Sequence, residues 1–422
     1  MEFLTLPKFI PETDKTYAFD VPASKSVAAR ALLLAALSRG AVRIRHGELC
    51  SDTEEMLSCL HALGVKTEEN DGVLTVYGCA GSFPVRKADL FVGSAGTVAR
   101  FLPAVLAFSH GEYRLDASEQ MKRRPMHFLK DLEREGVKFD FPEKEYAFPF
   151  VMRSNGMKDA RFRIDTDAST QFASGLFLAA ATGAEVTVEL TGGRTDSEYL
   201  NMTLSLLSEF GYSVQRTGNS VTVRADAEAP EEFVLEADVS GACYFYALAL
   251  LFRTKVLVRN VRMNCLQGDV AFLKLLEARG VEFRQTQEGL FADASRVTDF
   301  AGFTESFKNF SDQTLTAAAL APFAATPTRI DGVSHIRKQE CDRIAAIEAN
   351  LKALGVPVNT EADAVSIEPA APHEGIIRTF GDHRVAMAFA LTALKTGRIA
   401  IDDPDCCRKT FQGYFQTLLS LV

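Results

Sequence analysis

At 422 residues the chain is too long for one ordinary core, and two domains of about 200 residues each are expected. Its 47% hydrophobic and 24% charged content describes a globular protein, and no apolar stretch approaches the roughly 20 residues that span a bilayer. A formal charge of −9 argues against a general nucleic-acid binder, but local clusters of Lys and Arg leave an anionic small molecule open as a ligand.

The first residues, "MEFLTLPKFIPETDK", lack a basic region followed by an apolar one, so no secretion signal is read there and a cytoplasmic location is expected. The eight cysteines are scattered without a CxxC pair, which fits reduced thiols better than disulfides. Next, "PASKSVAARALLLAALSRG" opens a long helix. Ser24 or Ser26 can cap it, Lys25 lies at the free amides of its first turn, and Arg30 follows about one turn later on the face of Ser26. This is an anion cradle, or else a capped amphipathic helix with solvated cations.

"VGSAGTVARFLPAVLA" repeats the design, with small residues around Gly96 that let backbone approach a ligand. It is neither a Walker motif nor a dinucleotide fingerprint, and packing alone also explains it. "QMKRRPMHFLKDLEREG" reads as a helix starting with Lys122, Arg123 and Arg124, cations that oppose the dipole unless an anion is near. "DASTQFASGLFLAAA" leads an apolar helix with Ser169, Thr170 and Gln171, more polar groups than one cap needs. "HIRKQECDR" packs six ionisable side chains into nine positions, with Glu340 three residues before Arg343. "FGDHRVAMAFALTAL" brings Asp382, His383 and Arg384 ahead of another apolar helix, as a cap, a buried pair or a site. In "CCRKTFQGYF", Arg408 and Lys409 again stand just before a helix.

One pattern recurs: a helical end, a Gly and a β-like step. Its glycines are Gly64, Gly136, Gly211, Gly280 and Gly355, spaced by 72, 75, 69 and 75 residues. A Gly after the last helical residue is a common left-handed cap. Extrapolation puts a sixth copy at "YFQTLLSLV", and two groups of three fit the length. The passages around 19–24 and 235–242 are the boundary candidates, giving one domain of residues 1–20 plus 238–422 and another of 21–237. If the repeats bring their helix starts to one shared cleft, the field there is positive despite the acidic total. No HExxH or CxxC spacing suggests a metal, so the chemistry expected is acid–base work on an anionic substrate.

The ordered set "SKSVAARALLLAAL", "SDTEEML", "GSAGTVAR", "MKRRPMHFL", "STQF", "SDQTLT", "QECDR", "GDHRVAMAFA" and "KTFQGYF" resembles the 5-enolpyruvylshikimate-3-phosphate (EPSP) synthase family over nearly the whole chain. The resemblance implies an α/β (α+β) fold: a two-domain inside-out α/β barrel of six βαβαββ repeats, three per domain, with the active site in the interdomain cleft. It implies a monomer whose partners are the small-molecule substrates shikimate 3-phosphate and phosphoenolpyruvate, with no nucleic acid or membrane. No metal and no organic cofactor would be needed.

Carried over position by position, Lys25 would touch both substrates, and Ser26, Arg30, Ser169, Thr170, Ser197 and Tyr199 would hold shikimate 3-phosphate. Gln171 would lie between the two ligands. Gly96, Arg124, Arg343, His383, Arg384 and Lys409 would bind phosphoenolpyruvate. Asp312 would take the proton of the attacking hydroxyl, and Glu340 would handle the proton at C3. A carboxyl that donates near neutrality needs a raised pKa, which desolvation favours and neighbouring cations oppose.

Several positions depart from the family pattern. Gln339 stands where a shikimate-binding Lys is usual, and a neutral bond there is roughly half as strong as a charged one. Lys338 precedes it but points elsewhere, because adjacent residues do not share a direction, and His335 replaces an Asn. In "TDSEYLNMT", counting back three from Tyr199 puts Asp196 where a phosphate-binding Ser is expected, unless a one-residue deletion leaves Ser197 there. Two further readings stay open: a non-catalytic paralogue of the same fold, and the sister UDP-N-acetylglucosamine enolpyruvyl transferases. The latter have "SKN" where this chain has "SKS", and a loop cysteine for which the stretch between Cys79 and Cys243 offers no candidate.

Overall fold

A computed structural model describes residues 3–422. The chain forms two compact units. One comprises Ala23–Leu235, and the other comprises the residues as far as Pro22 together with Glu236–Val422. The unit of Ala23–Leu235 is called the inserted unit below, and the other the outer unit.

Along the inserted unit run the helices α1 (Lys25–Leu37), α2 (Ser51–Ala62), α3 (Gly96–Ala107), α4 (Glu119–Lys122), α5 (Leu129–Arg134), α6 (Thr170–Leu178) and α7 (Glu198–Glu209). The outer unit carries α8 (Val239–Phe252), α9 (Val270–Glu277), α10 (Thr314–Leu320), α11 (Arg343–Ala353), α12 (His383–Thr396) and α13 (Tyr414–Leu419). Three helices in each unit are apolar nearly all round and are buried, as such composition requires: α1, α3 and α6 in one, α8, α10 and α12 in the other. Within its unit each set packs together.

The strands alternate instead, as in "DARFRID" (Asp159–Asp165), where every second residue is buried. Among the described residues they form five four-stranded sheets and one three-stranded sheet. The expected repeat is visible in their order. In one sheet Lys87–Phe91 runs parallel to His110–Asp116, which is antiparallel to Phe150–Asn155, which is antiparallel to Lys138–Asp140. The same order is found with Asp159–Asp165, Glu185–Thr191, Ser220–Ala225 and Tyr212–Thr217. Each is a strand, a helix, a strand, a helical segment and a hairpin, the βαβαββ unit. Gly64, Gly136, Gly211, Gly280 and Gly355 all have positive φ, between 75° and 97°, at the turn from helix to hairpin.

Two sheets are completed from far along the chain. Glu232–Val234 adds in parallel to Ala41–Arg45, and Thr16–Phe19 adds in parallel to Lys255–Arg259. No helix among the described residues is long and apolar enough to cross a membrane, and all eight cysteines are free thiols.

Candidate active site

In the inserted unit the first turn of α2 gathers the starts of α1 and α3. Asp52 Oδ2 lies 3.5 Å from Lys25 Nζ, while Glu55 accepts from the amides of Ser94 and Ala95, immediately ahead of α3. Ser24 holds the N-cap position of α1 but makes no side-chain cap bond, so neither serine of that stretch caps it as the sequence suggested. Arg30 is fully buried. It donates from Nε to Thr203 Oγ1 (2.7 Å), from Nη1 to the Ser26 carbonyl (2.7 Å) and from Nη2 to the Tyr199 carbonyl (3.3 Å), and its guanidinium lies over the Phe101 ring. Burial lowers its pKa to about 10, against a small opposing effect of Tyr199.

α6 runs alongside α3: Phe172 faces Arg100, and Gly175 fits between the Arg100 carbonyl and Ala104. Ser169 Oγ caps α6 by accepting from Gln171 N, which leaves the buried Thr170 as a further hydroxyl at that start. At Gly96 a Cβ would stand 3.1 Å from Arg124 Nη1 and 3.3 Å from Arg100 Nη1, so the two guanidinium groups crowd the start of α3.

The cations of "MKRRP" are not at a helix N-terminus, contrary to the sequence reading. Ser118 caps α4, Lys122 is its last residue, Arg123 is its C-cap, and α5 begins only at Leu129. That end of a helix favours positive charge, so the local conflict disappears. Lys122 faces Asp116 and Glu119.

Asp196 and Ser197 differ sharply. The Asp196 side chain is 80% exposed and pairs with Arg216 at 3.3 Å. Ser197 holds the N-cap position of α7, and its Oγ is buried without a hydrogen-bond partner among the described residues. Of the two, Ser197 has the hydroxyl with unused bonding capacity.

In the outer unit one guanidinium organises the acidic groups. Arg343, the first residue of α11, bonds Asp312 Oδ1 from Nη1 (3.0 Å), Glu340 Oε2 from Nη2 (3.1 Å), and Asp382 from Nε (2.8 Å) and Nη2 (3.3 Å). Burial works to lower its pKa, but Asp382, Glu340 and Asp312 outweigh it and raise the pKa above the usual arginine value. Arg384 Nη2 meets Asp312 Oδ2 at 2.8 Å, and Lys409 Nζ meets Glu340 Oε1 at 2.9 Å. Asp312 and Glu340 are therefore each held from two sides by cations.

Lys409 ends a 3-10 turn (Pro404–Lys409) rather than preceding α13 directly, and the carboxylate of Glu340, not a helix dipole, accounts for its place. Its neighbour Arg408 lies at the surface with Asp405. His383 is fully buried, with Nδ1 3.7 Å from Asp382 Oδ1. Gln339 Oε1 accepts from Arg343 Nη1, Lys338 is exposed, and His335 Nε2 lies 2.8 Å from Ser311 Oγ.

The sequence had left Asp382 without a definite role. It is both the cap of α12, accepting from Arg384 N, and a partner of Arg343. It had not marked Asp269 at all, a buried carboxylate bonded by Gln313 Nε2 at 2.7 Å, next in sequence to Asp312. The helix-start position was the available signal for both.

Cations beside helix starts in one unit, and carboxylates gripped by arginines in the other, are the groups that an enzyme for anionic small molecules needs. The sequence model for EPSP synthase (3-phosphoshikimate 1-carboxyvinyltransferase) matches residues 16–418. Enzymes named 3-phosphoshikimate 1-carboxyvinyltransferase are similar throughout: that of Trichormus variabilis is 34% identical with both chains fully covered, and that of Cellvibrio japonicus 36% identical with both fully covered. Among solved structures, EPSP synthase from Acinetobacter baumannii superposes with a TM-score of 0.77 at 22% identity, covering 98% of this chain and 97% of that one. The enolpyruvyl transferase NikO from Streptomyces tendae shares the fold, with a TM-score of 0.70 at 16% identity, covering 99% of this chain and 96% of that one. The chain belongs to the EPSP synthase family.

Proposed function

We propose that this chain divides its family's reaction between the two groups of side chains just described. The reaction moves the enolpyruvyl group of phosphoenolpyruvate to the 5-hydroxyl of shikimate 3-phosphate and releases phosphate, a step of aromatic amino-acid biosynthesis. In the inserted unit, Ser169, Thr170 and Ser197 take the shikimate phosphate, with Ser26, Arg30 and Tyr199 supporting the rest of that substrate. Lys25, Gly96, Arg124 and Gln171 take the phosphoenolpyruvate phosphate, Lys25 and Gln171 touching both ligands.

In the outer unit, Arg343, Arg384 and Lys409 neutralise the phosphoenolpyruvate carboxylate, with His383 behind Asp382. Asp312 accepts the 5-hydroxyl proton as that oxygen attacks C2, and Glu340 delivers a proton to C3. The tetrahedral intermediate then loses phosphate, and Glu340, left as a carboxylate, takes a proton back from C3 as the double bond re-forms. Gln339 bonds a shikimate hydroxyl without charge. We further propose a monomeric, cytoplasmic enzyme with no metal or organic cofactor.

The observation that carries this reading is the grip of Arg343 on Asp312 and Glu340 together, which sets a base and an acid at two corners of one guanidinium. Phosphate release from phosphoenolpyruvate, measured with and without shikimate 3-phosphate, tests it. Release that requires shikimate 3-phosphate, and that falls by about a hundredfold or more in Glu340→Gln, is expected. Phosphoenolpyruvate binding without any release would overturn the reading.

A further inference from the structure

The motif "SDTEEML" opens α2 and lies among the anion-receiving elements of the inserted unit without a part in the chemistry above. Glu55 is its notable member. Its carboxylate spans two amides, Ser94 N at 3.3 Å and Ala95 N at 3.0 Å, at the entrance to α3. The backbone makes room for it: a Cβ on Gly93 would stand 1.8 Å from Glu55 Oε1, and Gly93 has φ of +53°. Directly after Ala95 comes Gly96, crowded by Arg124 and Arg100. On its other side Glu55 borders a cavity of about 500 Å³, lined also by Ser51, Glu54, Ser58, Cys59 and Phe91.

The start of α3 therefore already holds an anion, and that anion belongs to the protein. Unpaired amides at a helix start attract negative charge, and a carboxylate there satisfies them. A phosphate arriving at Gly96 comes next to these amides and meets a fixed like charge beside them. The cavity behind Glu55 gives its side chain somewhere to go.

We infer that Glu55 is a specificity-determining residue, an internal competitor whose carboxylate sets how tightly the phosphate of phosphoenolpyruvate binds at the start of α3. This rests on the assignment of Gly96 and Arg124 to phosphoenolpyruvate made above. Glu55 thereby penalises the most highly charged anions most and reduces retention of the released phosphate.

Glu55→Gln keeps an oxygen acceptor for one amide and removes the charge. In the shikimate 3-phosphate-dependent assay, its KM for phosphoenolpyruvate should fall roughly two- to five-fold at low ionic strength. The difference should shrink as salt is added. The KM for shikimate 3-phosphate should stay the same, and inorganic phosphate should inhibit at a correspondingly lower concentration. A KM for phosphoenolpyruvate that is unchanged or raised would overturn the inference and leave Glu55 as a structural cap. In that case Glu55→Ala would lower the Tm and raise the KM together. Should the wild-type chain release no phosphate, the functional reading fails by itself. Calorimetric titration of phosphoenolpyruvate into wild type and Glu55→Gln then decides the role of Glu55 separately, by tighter or unaltered binding.

Discussion

The two units share one plan, three buried helices within a set of βαβαββ repeats, yet they treat the starts of those helices in opposite ways. The N-cap positions of α1, α3 and α6 are Ser24, Ala95 and Ser169, all neutral. Those of α8 and α12 are Asp238 and Asp382, and Asp312 stands just ahead of α10. A neutral cap adds no charge of its own to the positive end of the dipole, which at α3 is met instead by Glu55 from α2. An aspartate fills the same place with fixed negative charge, which then fastens arginines. One arrangement, repeated, thus carries neutral caps in one unit and carboxylates paired with arginines in the other. The difference lies in a few side chains, not in the backbone.

That contrast breaks most visibly at Arg343. Arg343→Met would leave Asp312, Glu340 and Asp382 buried around an absent cation, a loss of about 3–5 kcal/mol in stability. Thermal unfolding should show a Tm drop much larger than that of Arg343→Lys, which keeps the charge but not the fork. A Met variant as stable as the wild type would mean that the aspartates need no such clamp.

Asp269 sharpens the acidic side. Burial first, and then the charge of Asp312, push its carboxyl from 3.8 up to about 6. A carboxyl raised on folding holds its proton more tightly in the folded state. Its contribution is thus favourable below about pH 4 and is lost as pH rises through about 6. Asp269→Asn, which keeps an acceptor for Gln313, should stabilise the protein at pH 8 by on the order of 2 kcal/mol and have little effect at pH 4. Denaturant titrations at the two pH values check this. A gain that is equal at both would point to packing instead.

On the neutral side, Ser197→Ala removes a buried hydroxyl that bonds nothing among the described residues. The KM for shikimate 3-phosphate should rise about tenfold, as for a lost bond to a charged group, while the Tm barely moves. A fall in Tm with an unchanged KM would return Ser197 to a structural role. The smallest effect is expected of Gln339→Lys. Three carboxylates surround Arg343 nearby, so an added ammonium is tolerated, and shikimate 3-phosphate should bind a few-fold tighter by calorimetry. Weaker binding would mean that the bond from Arg343 to Gln339 matters more than charge at that position.

What could be read from the sequence followed from local chemistry. The five turn glycines were legible because a left-handed turn after a helix has few alternatives to Gly. The apolar helices led by Lys25, Thr170 and His383 were legible because nothing else explains polar groups gathered ahead of such runs. Tertiary pairing was not. Lys122 to Arg124 could be placed at a helix start only while the cap at Ser118 went unrecognised, and Pro125 left either end possible. Lys409 was read against a helix dipole, although its partner is Glu340, from a segment far away in sequence. The reach of Glu55 to Ser94 and Ala95 has no sequence signature either, since it depends on Gly93 having no side chain.

The return strands carry a consequence for synthesis. Glu232–Val234 completes the sheet begun at Ala41–Arg45, so the inserted unit has all its pieces once those residues leave the ribosome. Thr16–Phe19, made much earlier, must still wait for Lys255–Arg259. The Pro22 carbonyl likewise accepts from Asp238 N, joining the two strands of chain that lead into and out of the insertion. During translation the inserted unit is therefore ready first, while the Thr16–Phe19 strand waits for its partner. The outer unit is completed last, since its first strands pair with segments made after the inserted unit.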